Sequence, residues 1–284
     1  MKYQRQMKFK KWLSGIYYSI KKNDTKLKSS SLCGIPLITY SETIRATPDQ
    51  DDAWFFYLAK HHKVIFDIGA NIGYTALLAM IQDPDRDYVL VDPNPLALQK
   101  AQGNLLNNNL GFRARYYSAF VSDKLNEMVK FYTLGAGAAG SMHSSHAESA
   151  AAVNSFKNVT TVTLDYLYSY YGLRPDLVKI DVEGAETLVM EGAKTLAKET
   201  KCTFFVEMHN VKDLGMEKAT EMMIAWSRKM DYRVWYLKTA EELISGEPVK
   251  TRGKCHLLLL PNEKPYFSYL KGIEQNAPLP KTIS

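Results

Sequence analysis

The sequence predicts an α/β protein whose mainly parallel sheet is covered by helices on both faces. Three features predict it. From residue 64 onward, β-like runs alternate with helical stretches, as a parallel sheet with crossover helices requires. "VIFDI", "YVLVD" and "DLVKIDV" are the dense apolar runs expected of strands buried on both faces. A glycine turn, "DIGANIGY", closes the first of these runs and leads back into a helical pattern.

The chain opens on a basic leader. Residues 1–28 hold nine Lys/Arg against one acid, Asp24, whereas the rest has 27 basic and 29 acidic residues. So nearly neutral a body argues against a protein that coats nucleic acid, and no nucleic-acid partner is expected. In the leader, Phe9, Leu13, Ile16, Tyr17 and Ile20 fall at helical spacing, with Lys8, Lys11, Lys21 and Lys22 elsewhere around the helix. Such a helix either packs on its own domain with solvated lysines, the preferred reading, or makes weak contact with an anionic membrane surface. Gly15 weakens it by about 1 kcal/mol in either case.

A polar stretch then leads to "CGIPLITY", a short strand or hairpin arm. In "TPDQDDAWFFYLAK", Thr47 can cap a helix with Pro48 at its first position and acids in its first turn. Strands are expected at 64–68, 87–92, 115–121, 128–133, 159–164, 177–182, 203–207, 232–237 and 255–260, and helices at 72–82, 94–108, 184–198 and 215–230. The segment 134–156, rich in Gly, Ala and Ser, starts without either periodicity. A loop this long within a domain is more often functional or disordered than inert, so it is read as a lid. His143 and His146 within it could touch substrate, though as exposed histidines they have a simpler account. The chain divides into a basic extension (1–47), a main domain (48–262) and a polar, Pro-containing tail (263–284).

No apolar run approaches the roughly 18 residues that span a membrane. The basic N-terminus lacks the apolar core of a secretory signal. Cys33, Cys202 and Cys255 lie too far apart for a disulfide framework or a zinc-binding pair. A reducing cytoplasm is the expected setting.

In an open α/β sheet, ligands bind beyond the carboxyl ends of the strands, where the strand order reverses. The turn after Asp67 is the first such place. Gly69 and Gly73 let the backbone approach a ligand closely, and the next helix offers free N–H groups. A dinucleotide site carries G-x-G-x-x-G, so that pyrophosphate sits on the helix dipole. Here the spacing is G-x-x-x-G, Asn71 stands where the second glycine would be, and Asp67 precedes the turn. A carboxylate there is unfavourable beside a pyrophosphate and favourable beside an ammonium. S-adenosylmethionine carries an ammonium and a sulfonium and no phosphate, and is the expected cofactor. Asp92, at the end of "YVLVD", can accept hydrogen bonds from both ribose hydroxyls, each worth ~1.5–3 kcal/mol to a charged acceptor.

With these residues in place, the sequence resembles the class I S-adenosylmethionine-dependent methyltransferases, and more narrowly the FkbM family. The resemblance rests on "VIFDIGANIGYTALLA", "VDPNP", "VTLDYL", "DLVKIDVEGAETLVMEGA" and "FFVEMH", in that order across residues 64–209. It implies a Rossmann-like sheet of seven strands and O-methylation of a hydroxyl on a sugar, glycan or other natural product. It also implies that Asp67, Gly69, Ala70, Asn71 and Gly73 surround the methionine end of the cofactor and Asp92 the ribose. Asn94, Ser118 and Ala119 would lie near the adenine. Ser118 departs from the family pattern, which often has an acid or amide there.

Methyl transfer requires alignment of the acceptor and removal of its hydroxyl proton, by a base or by a metal that lowers its pKa. Asp181 ends the strand next to the cofactor strand in this fold, so it should face the methyl group. Glu183 sits on the following turn, and Glu186 in the first helical turn, where pairing with the helix dipole is an equal account. Glu207 and His209, two apart on the next strand, share a face, and His209 suits a general base. The competing arrangement is a divalent metal on Asp181, Glu207 and His209. A histidine does not particularly favour Mg²⁺, and the metal-free base is preferred. Against a base methyltransferase acting on nucleic acid, the fourth strand ends in "DVEG" rather than Asn/Asp-Pro-Pro-aromatic. A binding protein that kept the fold without the activity is the remaining alternative.

Overall fold

The computed structural model describes residues 26–47, 49–133, 141–142, 155–211 and 213–282. The leader helix, Pro48, and His143 and His146 of the expected lid lie outside the described residues.

The architecture is a large mixed sheet between two layers of helices. A hairpin of β1 (Leu27–Leu32) and β2 (Ile35–Tyr40) precedes α1 (Asp52–Lys60). Then come β3 (Val64–Ile68), α2 (Tyr74–Met80), β4 (Asp87–Val91), α3 (Pro95–Leu106) and β5 (Ala114–Tyr117). After β6 (Phe120–Val121), β7 (Met128–Tyr132) and β8 (Phe156–Val162), α4 (Leu164–Tyr171) leads to β9 (Leu177–Ile180). Helices α5 (Glu186–Glu191) and α6 (Lys194–Thr200) precede β10 (Thr203–His209) and α7 (Met216–Lys229). Finally β11 (Tyr232–Tyr236), β12 (Glu241–Glu242) and β13 (Lys254–Pro261) complete the sheet.

The sheet order is β12-β11-β13-β10-β9-β3-β4-β5. The five strands from β10 to the edge strand β5 run parallel, and β13, β11 and β12 each pair antiparallel with their neighbours. The sheet therefore has eight strands rather than seven. The extra one, β12, is two glutamates brought back beside Trp235 and Tyr236 by a tight turn, with Ala240 at φ 55°. So short and acidic a segment carries no strand pattern.

Successive residues of the central strands enter opposite cores. Phe66, Ile68, Val178 and Ile180 pack with α4–α7, while Ile65, Leu177, Phe205 and Leu258 pack with α1–α3. By the same period, Asp67, Lys179, Glu207 and His256 face the α1–α3 side. The register makes Asp67 the neighbour of Lys179, and Glu207 the neighbour of His256. One face of an apolar sheet thus becomes ionised towards its carboxyl end.

Three expected elements differ. The helix after Thr47 starts at Asp52, with Asp51 as its cap residue. The Asp52 carboxylate accepts the Asp49 N–H at 2.8 Å and an Arg45 N–H at 2.9 Å, so 49–51 form a turn instead. The run 115–121 splits at Ser118 between the main sheet and a three-stranded sheet of order β6-β8-β7. The helix expected over 184–198 is two, broken at Gly192, where a Cβ would lie 2.3 Å from the Ser122 carbonyl. Helix α4 was not expected at all. Thr163 caps it by accepting the Tyr166 N–H at 3.0 Å, and Gly172 ends it at φ 59°.

Both flanks join the α1–α3 core. Leu32 and Leu37 of the hairpin and Tyr266 and Leu270 of the tail pack with Trp54, whose indole N–H donates to the Ile273 carbonyl at 2.9 Å. Among the described residues, no helix is long and apolar enough to cross a membrane.

Candidate functional site

Strand β3 lies between β4 and β9, so the chain order reverses at its edge and a crevice opens over its carboxyl end. A cavity of about 320 Å³ occupies this place. Gly69, Ala70, Asn71, Asp92, Ala119, Asp181 and Glu183 line it, all of them expected. Lys179, Glu42, Thr43 and Arg45 also line it and were not expected.

The turn after β3 is shaped by close approach. Gly69 and Ala70 donate to the Val91 carbonyl at 2.9 and 3.1 Å, and Asp181 donates to the Ile68 carbonyl at 2.9 Å. Gly69 has φ 84°, and a Cβ there would sit 1.7 Å from the Asp181 carbonyl oxygen. Only glycine allows β3 and β9 to end side by side in this way. Gly73 (φ 79°) meets Ala101 of α3 and is not part of the cavity wall.

Asp92 ends β4 with both carboxylate oxygens on backbone donors: Asn71 N–H at 2.9 Å and Asn94 N–H at 2.8 Å. Burial pushes its carboxyl up to about 6, although these two donors favour the charged form. Asn71 stands at φ 47°, and its side-chain oxygen is buried with no hydrogen-bond partner. Asn94 caps α3 by accepting the Leu96 N–H at 3.2 Å and lies outside the lining, as does exposed Ser118.

Asp67 is fully buried and does not reach the cavity. One carboxylate oxygen accepts from Thr75 at 2.6 Å and Tyr88 at 2.8 Å, and the other lies 3.4 Å from the Lys179 ammonium. Lys179 is equally far, 3.4 Å, from Asp181. Burial alone would lower the Lys179 pKa, but the charges of Asp67, Asp181, Asp51 and Glu207 outweigh it and hold the ammonium firmly protonated. A lysine inside the run "LVKI" was the available signal for this residue.

Asp181, Glu183, Glu207 and His209 do come together, beside the cavity and behind it. Burial raises the carboxyls of Asp181 and Glu183, both on the cavity wall. Glu183 holds φ 54°, a conformation a non-glycine residue rarely keeps without cause. His209 sits behind it, 8% exposed. Its Nδ1 is 2.9 Å from Glu186, and its Nε2 is 3.5 Å from both Glu183 and Glu207. Burial opposes the imidazolium, yet Glu186, Glu207 and Asp181 push the pKa of His209 up to about 11. Burial would raise Glu207, but His209 and His256 hold it well below the usual carboxylate range. Glu186 also accepts the Gly184 N–H at 2.9 Å, so it serves the turn and the histidine together. Ligand atoms of Asp181, Glu207 and His209 lie within 4.8 Å of one another, as the metal-bound alternative requires.

Two consequences are measurable. Replacing Lys179 by Met leaves Asp67 charged and buried, so urea unfolding should show a loss of about 3–5 kcal/mol; a change under about 1 kcal/mol would contradict this charge assignment. His209 titrates near 11 when folded against about 6.5 when unfolded. Its stabilisation is therefore complete below about 6.5 and lost as pH rises towards 11. The stability gap between wild type and His209→Gln should shrink steadily from pH 7 to pH 10, whereas a constant gap would show a neutral His209.

The model of the methyltransferase FkbM domain matches residues 67–234. No curated protein matches the chain. Among solved structures it is similar to the methyltransferase FkbM of Methylobacillus flagellatus KT at 13% identity and TM-score 0.44, over 78% of this chain and 46% of that one. The chain thus spans less than half the length of that protein. TYW2 of P. horikoshii, solved with MeSAdo, matches at 13% identity and TM-score 0.44, over 84% of this chain and 70% of that one. Cofactor-bound Rv0187 from MTB matches at 15% and 0.45, over 89% and 90%. The family match covers the glycine turn, Asp67, Asp92 and the Asp181–His209 cluster, more than half of the sequence, and the chain belongs to the FkbM methyltransferase family.

Proposed function

We propose that this protein transfers the methyl group of S-adenosylmethionine to a hydroxyl of a polar small-molecule or glycan acceptor. One observation carries the reading: a single cavity crosses the carboxyl ends of β4, β3 and β9, with Asp92 on one side and Asp181 and Glu183 on the other. The two outer strands stand two strand spacings apart, roughly 9.5 Å. That separates a ribose-binding acid from the acids of the reacting end.

Charge favours this cofactor over a dinucleotide. The cavity lining carries Glu42, Asp92, Asp181 and Glu183 against Arg45 and Lys179. An excess of carboxylates attracts a ligand with sulfonium and ammonium groups and repels a pyrophosphate. The unpartnered oxygen of Asn71 is an acceptor awaiting a donor, which an ammonium or hydroxyl supplies.

When bound, the cofactor supplies a methyl carbon already activated on a cationic sulfur. The chain has three tasks. Asp92 accepts the ribose hydroxyls with the lone pairs left by Asn71 and Asn94. Asp181 and Glu183 face the acceptor, and one of them takes its proton as the oxygen attacks. His209 orients Glu183 rather than acting as the base, because both its ring nitrogens face carboxylates and keep their protons. No metal is needed for charge at this cluster, where Lys179 and His209 already supply two cations. The charged wall of Glu42, Arg45, Asp181 and Glu183 suits an acceptor with several hydroxyls, in line with a sugar or a polyhydroxylated natural product.

The test is a panel of free sugars, oligosaccharides and polyketide alcohols incubated with methyl-labelled S-adenosylmethionine. The expected product carries a methyl ether, and Asp181→Asn lowers its rate by about 100-fold or more while S-adenosylhomocysteine still binds. Label found on nitrogen or carbon, or full turnover in both Asp181→Asn and Glu183→Gln, would overturn the reading.

A further inference from the structure

Glu207 has a second face. Its Oε1 is held by Lys254 at 2.6 Å and lies 3.5 Å from His209, while its Oε2 is turned towards His256 at 3.4 Å. On that side three groups converge. Asp51 (4% exposed), Glu207 (5%) and His256 (2%) place one ligand atom each within 4.8 Å of the other two. They come from the start of α1, from β10 and from β13, and the last two are direct neighbours in register.

The bonding there is incomplete. Asp51 caps α1 in position only, since its side chain makes no cap hydrogen bond. His256 Nε2 is buried without a hydrogen bond, although a carboxylate oxygen is 3.4 Å away. Buried acceptors and donors are rarely left so. The spacing also suits a shared ion. An ion with bonds of about 2.0–2.2 Å in tetrahedral array keeps its ligand atoms roughly 3.3–3.5 Å apart, the separation already present between Glu207 and His256. Two carboxylates face each other in the core with an imidazole nitrogen beside them, and Lys254 meets Glu207 at its other oxygen, away from His256. The surroundings are dry: the rings of Trp54 and Phe205 stand 5.5 and 6.1 Å from that of His256.

We propose that Asp51, Glu207 and His256 form a binding site for one divalent transition-metal ion. A nitrogen ligand with two carboxylates suits Zn²⁺ or Mn²⁺ better than Mg²⁺ or Ca²⁺. The ion ties the first turn of α1 to the centre of the sheet. Because Glu207 is shared, its charge also reaches the carboxylates around His209. The site differs from the Asp181–Glu207–His209 set, whose histidine is already bonded to Glu186 at its other nitrogen.

The experiment uses the full chain, treated with chelator and titrated with Co²⁺ as a coloured probe. Visible d–d bands should appear at one equivalent, Zn²⁺ should displace them, and Mg²⁺ should not. His256→Gln and Asp51→Asn should each weaken Co²⁺ binding by more than about 10-fold, and His209→Gln should keep it. Circular dichroism verifies folding, and Asp51→Asn, at a helix cap, carries the test by itself where His256→Gln does not fold. Absence of the bands in folded wild type would overturn the proposal. So would bands that survive His256→Gln and vanish in His209→Gln, which would move the ion to the other set.

Discussion

The structure depends on a lysine buried in the middle of a parallel sheet. Lys179 stands between Asp67 and Asp181, 3.4 Å from each, with only 3% of its surface exposed. A lone ammonium in this position would cost several kcal/mol of desolvation, and the acids on the neighbouring strand and at the end of its own strand offset it. Asp67 is therefore committed. It holds Lys179, Thr75 and Tyr88, and so fixes how β3, β4, β9 and α2 meet at the edge of the cavity. The acid that the sequence places first in the cofactor turn works from beneath the site instead of within it.

What the cavity presents to a ligand follows from this arrangement. With Asp67 and Lys179 balanced against each other, the carboxylates that line the cavity are Glu42 and Asp92 on one side and Asp181 and Glu183 on the other. Gly69 makes room for the Asp181 carbonyl, and Glu183 accepts a left-handed backbone to reach the wall. Behind them, His209, itself paired with Glu186, holds Glu183 from the far side. A polar cluster this deep is costly unless every member is paired. Its pairing is nearly complete around His209 and incomplete around His256, so the two sides of Glu207 differ in what they can still bind.

Much of this was legible in the sequence, because burial on both faces forces apolar runs and a tight turn forces glycine. The five parallel strands, the turn at Gly69, the acid at Asp92 and the grouping of Asp181 with Glu183, Glu207 and His209 all rest on such local rules. Helix α4 has ordinary start and stop signals in Thr163, Asp165 and Gly172, but the apolar run ending in "VTL" carries a strand pattern into its first residue and masks them. The remaining differences are long-range. Whether Asp67 faces a ligand or a lysine depends on the register of β3 against β9, which no local pattern encodes. Arg45 and Glu42 reach the cavity, and Asp51 the core, only because the segment before α1 folds back over the sheet. His256 meets Glu207 through the pairing of β13 with β10, which is equally long-range.

If the crevice over β3 binds S-adenosylmethionine with Asp92 on its ribose, calorimetric titration of S-adenosylhomocysteine, with NADH as the competing ligand, should show micromolar binding to the wild type, a collapse in Asp92→Ala and no heat from NADH. A folded wild type that ignores S-adenosylhomocysteine, or an Asp92→Ala variant that binds it undiminished, would show that the crevice does not hold the cofactor in this way.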